Sequence, residues 1–505
     1  MQRSSPWCAV LAAAFWLGGP AAASAQADYI DTPGLDGRPG AERVPALLAA
    51  YNSGDPEQVV AAVAEHFTGD FAEIPDELHA EVWLDRLGRT GELSLLGLRS
   101  YDPPRDDLVV ILQSELTGAW QAFVLGVEAG PPHRFLGVEF APARRPSFLE
   151  PVAPLEGDAL VAAIDGLLDR LVAADQFSGS VVVSLGGEVV YSRAAGLADR
   201  RHAVPNRLDT RFNLGSMNKM FTAVATARLV QQGKLDWDDT VGEHLPDWPN
   251  ARVRDTVQVR HLLSHTSGLG SHFTDEFMDA SKARYRDLAD YLPLFAEDDP
   301  AFEPGTDWAY SNAGFYVLGR MLEQASGKSY YDLVRDEVYA PAGMTRSDSY
   351  DVDIPIEGLA SGYTRERMGW APGADGERWL GEAGWRDNML MHSVKGGPAG
   401  GGFSTAPDLI AFGRALVDGT LVTPETLELL TSPKPELSSP GYGYGFGVRP
   451  DPRGGRIVGH GGGFPGINAN LDVFLDSGDA VAVMANMDDA ASLVADRIRE
   501  WLTGS

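Results

Sequence analysis

Strand-like runs fall at two places far apart in this chain. A hairpin is expected at 180–193, turning at Gly186-Gly187, and four more strand-like runs at 443–449, 456–460, 469–475 and 480–486. A long stretch between them reads mostly as helix and loop. Antiparallel strands so remote in sequence share one sheet only if the chain leaves that sheet and returns to it. From about residue 157 onward the fold therefore closes from both ends. A helix at 158–174, with Leu160, Ile164, Leu167, Leu168 and Leu171 on one side, opens this unit, and a helix at about 490–502 ends it. The expected class is α+β: an antiparallel sheet flanked by helices, with a helical region inserted between its strands.

A smaller unit precedes it. Residues 27–42 are polar and rich in Gly and Pro and read as a loose leader. Helical patterns follow at 44–51, 56–67 and 75–87, then strand-like runs at 92–99, 108–112, 120–127 and 135–140. Helices followed by a meander of strands suggest a small α+β domain over 27–150. By pattern alone it is similar to the cone-shaped nuclear-transport-factor-2-like fold. Residues 141–156, with several prolines and an Arg-Arg pair, read as a linker to the domain at 157–505.

The start of the chain reads as an export signal. Arg3 precedes an apolar run over 7–17, and Ala23-Ser24-Ala25 forms an A-x-A cleavage site, so 1–25 is the expected signal peptide. The single cysteine, Cys8, lies inside it. A mature chain without cysteine excludes disulfides, thiolate metal sites and a cysteine nucleophile. The expected location is periplasmic or secreted, with no membrane span after cleavage. Over 505 residues, 71 Asp and Glu against 41 Lys and Arg give a net charge of −30. Such a field repels phosphate backbones, which argues against a nucleic-acid partner.

Three segments carry chemistry. Ser216-Met217-Asn218-Lys219 sits where a loop becomes a helix with an apolar stripe through Met217, Met220, Phe221, Val224 and Leu229. One helical turn brings Lys219 to the face of Ser216, and apolar neighbours would lower its pKa until a neutral base is available. Tyr310-Ser311-Asn312 lies in a loop running into a helix at 315–325. A tyrosine beside a cationic lysine can lose its proton more easily and relay one to a leaving group, and Asn312 can position a substrate carbonyl or the lysine. His460-Gly461-Gly462-Gly463 ends a strand, where glycines let a substrate lie along the edge and a main-chain N–H face an oxyanion.

In this order, Ser-x-x-Lys, Tyr-x-Asn and a His-x-Gly strand resemble the serine β-lactamase and penicillin-binding-protein superfamily. The resemblance is nearest to its branch of class C β-lactamases, D-alanyl-D-alanine carboxypeptidases, D-aminopeptidases and family VIII esterases. Leu262-Leu263-Ser264-His265-Thr266-Ser267-Gly268-Leu269 and Gly400-Gly401-Gly402-Phe403-Ser404-Thr405-Ala406 support it. It covers 157–505 and leaves 27–150 untouched. It implies a β-lactamase/transpeptidase-like domain with Ser216 as nucleophile, Lys219 as activating base and Tyr310 as proton relay. Asn312 would position substrate, His460 would replace the lysine of other members, and the main-chain N–H groups of Ser216 and Gly463 would form the oxyanion hole. Gly461 and Gly462 would line the substrate strand. No metal or organic cofactor is implied.

Where penicillin-recognising members often carry Lys-Thr-Gly, this chain has His-Gly-Gly. The missing cation and hydroxyl suit a substrate carboxylate, so a neutral ester or a D-amino-acyl peptide is the expected substrate. A D-alanyl-D-alanine carboxypeptidase or β-lactamase, or a catalytically silent cell-wall-binding protein, are the alternatives. His261, His265 and His272 read as packing and turn-capping groups ahead of a zinc site. Lys395 is a minor candidate for the site rim, and Trp308 and Phe464 for the pocket wall.

Overall fold

The computed structural model describes residues 28–150, 152–365 and 384–504; the expected signal peptide lies outside them. The described residues divide into two compact units, 28–176 with 500–504, and 177–499.

In the smaller unit, helices Val44–Ser53, Pro56–His66 and Asp76–Thr90 precede most of a five-stranded antiparallel sheet. The four expected strands are present, from Leu93–Asp102 to Phe135–Pro142. The expected leader is not loose. Asp28–Pro33 is a fifth strand, paired antiparallel with Leu93–Asp102. A buried ion pair ties it down: Arg99 donates to both oxygens of Asp31 at 2.7 and 3.0 Å, and Ser147 N–H donates to the same carboxylate at 2.9 Å. Tyr51, Trp83, Phe123 and Phe140 form an aromatic core over the sheet, with ring centres 5.2–6.4 Å apart. The helix Gly157–Ala173 also falls in this unit, and its five expected stripe residues are all buried.

The larger unit holds a six-stranded antiparallel sheet whose order shows the closure from both ends. Gly447–Pro450, Arg456–Phe464, Ile467–Phe474 and Asp479–Ala485 run side by side, then Gly179–Leu185 and Glu188–Ala195. The joining pair is the fourth and fifth of the six strands, where Ala480 faces Ser184 and Ala485 faces Gly179. Every residue of Ile467–Phe474 and of Asp479–Ala485 is buried, as expected of strands covered on both faces. The first of the four late strands begins at Gly447, later than the expected 443. Gly445 interrupts it at φ 77°, with its N–H bonded to Leu263 O.

The helix Asn218–Gln231 departs from an amphipathic pattern, because burial extends around it and takes in Lys219, Thr222 and Thr226. Phe221 packs edge-on against Tyr339 and Phe412, at 5.3 and 4.8 Å between ring centres. The threonines spend their hydroxyls on carbonyls one turn back, Thr222 on Asn218 O and Thr226 on Thr222 O. No helix among the described residues is long and apolar enough to cross a membrane.

Candidate active site

A short turn places Ser216 at the start of this helix. Asn213 Oδ1 accepts the Gly215 N–H at 2.9 Å, and Gly215 holds φ at 50°, a left-handed value that a side chain resists. The turn Gly215–Met217 then enters Asn218–Gln231. The glycine loop clasps it from outside. Leu214 N–H donates to Gly402 O at 2.7 Å, Gly401 N–H to Gly215 O at 3.1 Å, and Gly402 N–H to Asn218 Oδ1 at 3.0 Å.

The strand Arg456–Phe464 approaches the same turn. A Cβ on Gly462 would stand 1.9 Å from Leu214 O, so only glycine permits the approach. Gly461 and Gly462 pair with Asn470 and Ala469 on one side. The neighbour on the other side, Gly447–Pro450, stops pairing at Gly459. From His460 to Phe464 the strand therefore keeps a single strand neighbour. Ser216 and Gly463 together line a cleft of about 560 Å³ with Asn213, Asn312, Phe273 and Phe464.

Lys219 is fully buried, and its Nζ donates to Asn312 Oδ1 at 2.8 Å and to Ala399 O at 2.6 Å. The Tyr310 and Phe315 ring centres lie 4.7 and 5.4 Å from it. Burial pushes its pKa well below the usual lysine value, with no carboxylate opposing. A neutral amine has two N–H bonds, and these two acceptors take both. Its lone pair is left to accept a proton.

Burial drives the Tyr310 hydroxyl the other way, well above an ordinary phenol, although Ser216 draws it partly back. The hydroxyl otherwise has no partner in hydrogen-bond geometry. Tyr310 thus holds its proton, contrary to the expectation that a cationic lysine would ease its loss. His460 is likewise held neutral, its pKa pushed down to about 3 by burial and by Lys219. Its Nδ1 bonds to Gly461 O, which leaves a bare Nε2 without a partner. The ring centres of Tyr310 and His460 are 6.4 Å apart.

The structure thus gathers Ser216, Lys219, Tyr310, Asn312, His460 and Gly463. The histidines of the middle segment do separate jobs: His261 Nδ1 accepts the Gln258 N–H at 3.2 Å, His265 Nδ1 accepts the Ser311 N–H at 3.0 Å, and His272 packs among Phe273, Tyr291 and Tyr316. Lys395 does not reach the rim as a free cation, since its amine bonds Asp351 at 3.1 Å and lies 4.3 Å from the Tyr331 ring centre. Phe464 lines the cleft, stacked on Phe273 at 5.7 Å, whereas Trp308 packs on His265 at 5.9 Å. Sequence reasoning missed Phe273, Tyr316 and His392 in the cleft wall, and the Ala399 carbonyl beside Lys219. Among the described residues, no lysine or arginine lines the cleft.

Comparison with known proteins agrees with this geometry. The family model described as Beta-lactamase matches residues 164–504. Penicillin-binding protein 4* of Bacillus subtilis (strain 168) is 28% identical over 331 residues, covering 64% of this chain and 71% of its own. Esterase EstB of Burkholderia gladioli is 36% identical over 211 residues, 39% of this chain and 53% of its own. Among solved structures, a D-stereospecific amidohydrolase from Streptomyces sp. superposes with a TM-score of 0.55 at 26% identity, over 68% of this chain and 99% of its own.

Proposed function

The chain belongs to the beta-lactamase family and is a serine hydrolase, and we propose that it is an exported member that cleaves neutral esters or D-amino-acyl amides through an acyl-enzyme on Ser216. One observation carries the reading: a fully buried lysine, bonded only to neutral acceptors, one turn from a serine in the cleft wall.

In the proposed cycle Ser216 Oγ attacks the substrate carbonyl while Lys219 takes the hydroxyl proton. The main-chain N–H groups of Ser216 and Gly463 receive the developing oxyanion. The C–O or C–N bond then breaks, and the proton passes from Lys219 through Tyr310 to the leaving group. His460, with its bare Nε2, accepts a hydrogen bond from the leaving group's side. Water attacks the acyl-enzyme by the same route in reverse and frees Ser216. Asn312 serves both ends, fixing Lys219 through Oδ1 and facing the cleft.

Neutral substrates rank first because no lysine or arginine among the described residues lines the cleft and His460 is uncharged. A substrate carboxylate would lose charge-assisted hydrogen bonds worth roughly 1.5–3 kcal/mol each. The test is hydrolysis of p-nitrophenyl butyrate and of D-phenylalanine amide by the mature chain beside Ser216→Ala. Turnover of either, lost in the variant by about a thousandfold, supports the proposal. A cephalosporin turned over far faster than both would overturn the substrate ranking. Amino-terminal sequencing of exported protein tests cleavage after Ala25.

A further inference from the structure

A second cleft, of about 790 Å³, adjoins the one that holds Ser216. The two share Asn213, His392 and Ile467 as wall. The second gathers the aliphatic side chains Val352, Ile354, Ile356, Leu359 and Met389, with Ser361, Asn388 and Asn486 among its polar wall residues. Ile354 and Met389 are 54% and 52% exposed, an unusual state for large apolar side chains gathered on one cleft. Among the described residues the one acid in the wall, Asp387, is already engaged: it accepts the Met389 N–H at 2.7 Å and pairs with Arg201 at 3.3 Å. No lysine or arginine among the described residues joins it there.

We infer that this cleft binds an extended apolar acyl chain of the substrate attacked by Ser216. The inference rests on Ser216 being the nucleophile and names the substrate class that site would take. Continuity through the shared wall puts the cleft within reach of a group attached to the reacting carbonyl. Its aliphatic residues suit a hydrocarbon, and among the described residues it presents no cation to a carboxylate or phosphate. The acyl side is assigned because the leaving group must lie against the groups that deliver its proton. Tyr310 and His460 line neither cleft wall shared with the second cavity, whereas Asn213, His392 and Ile467 do.

Each methylene moved from water into such a cleft gains about fourfold in binding. A p-nitrophenyl ester series from acetate to octanoate, with the leaving group held constant, adds several methylenes, and burial of only two of them raises kcat/KM by about tenfold or more. Ile354→Asp and Met389→Asp alter exposed side chains and leave the fold intact. Each should cut octanoate turnover about tenfold while acetate stays within about twofold. Binding of octanamide and acetamide to Ser216→Ala, measured by calorimetry, separates the cleft from the chemistry. Octanamide binding that weakens in Ser216→Ala with Ile354→Asp supports the cleft even if no ester is hydrolysed, which would count only against the nucleophile. A flat chain-length profile with no octanamide binding overturns the inference. So does a response to Ile354→Asp that follows the alcohol chain and not the acyl chain.

Discussion

His265 lies face to face with Tyr310, ring centres 4.2 Å apart and planes 33° from parallel. The histidine also accepts the N–H of Ser311 and sits at φ 63°, so its backbone is set in a left-handed turn. It touches no cleft wall, yet it fixes the tyrosine on both sides of one peptide bond. His265→Ala should lower kcat by about ten- to a hundredfold with KM nearly unchanged, since an orienting contact acts on the transition state. His265→Asn, which tolerates the turn and retains an acceptor, should recover part of the loss. Steady-state kinetics on an ester that the parent cleaves decide it; an equal rise in KM would place His265 in substrate binding.

Lys219→Arg keeps a cation of similar length and removes a titratable base. It should lose activity by about a thousandfold. In the parent, kcat/KM should climb with pH as the Lys219 amine deprotonates and level off well below the 10.5 of an ordinary lysine. A limb still rising near pH 10 would mean that another group is the base.

Acid should weaken the larger unit in a defined window. His272 is buried and His460 partly so, with pKa values pushed down to about 3 from 6.5, and buried His265 is pushed down with them. Between those limits the unfolded chain binds protons that the folded one refuses, so stability falls as pH drops from about 6.5 toward 3. Replacing His460 by Asn should make the decline of Tm with pH shallower. The comparison is a set of melting curves across that range.

Two neighbouring glycines should behave differently. A Cβ at Gly462 meets Leu214 O at 1.9 Å, while one at Gly463 meets nothing within 4 Å. Gly462→Ala should depress both Tm and activity by displacing the strand from the Ser216 turn. Gly463→Ala keeps its main-chain N–H and should leave Tm unchanged with most activity retained. Melting and kinetics on the pair are sufficient.

In the smaller unit, Asp31→Ala strands the Arg99 guanidinium in a buried site. Removing one partner of such a pair costs about 3–5 kcal/mol. Hydrogen exchange should show the loss first in Asp28–Pro33 and Leu93–Asp102, while an ester assay of Ser216 chemistry stays near its starting value.

Most of the larger fold could be read from spacing alone, because buried strands and leucine stripes are short-range patterns. Ser216, Lys219, Tyr310, Asn312 and His460 were legible as side chains of the right type in the right order. What escaped was set by partners distant in sequence. Asp28–Pro33 is polar and looked like a leader, but its Asp31 is satisfied by Arg99, which no local window contains. The acceptor at Ala399 is a carbonyl, and main-chain atoms leave no trace in residue identity. The stripe expected on Asn218–Gln231 understated its burial, because the helix is covered on faces where the sequence is polar. For the same reason Tyr310 is expected to acidify beside Lys219; burial of Lys219 and of the Tyr310 hydroxyl reverses the sign.

The closure of the central sheet also orders events in time. When a ribosome has completed Lys219, Tyr310 and Asn312, the strands Arg456–Phe464 and Asp479–Ala485 do not yet exist. Without them Gly179–Leu185 lacks its neighbour Asp479–Ala485, and the Ser216 turn lacks the strand that presents Gly463. A nascent or truncated chain therefore lacks the complete Ser216 cleft, which is assembled only with the last strands. Synthesis itself provides a form of latency for which other hydrolases use a removable pro-segment.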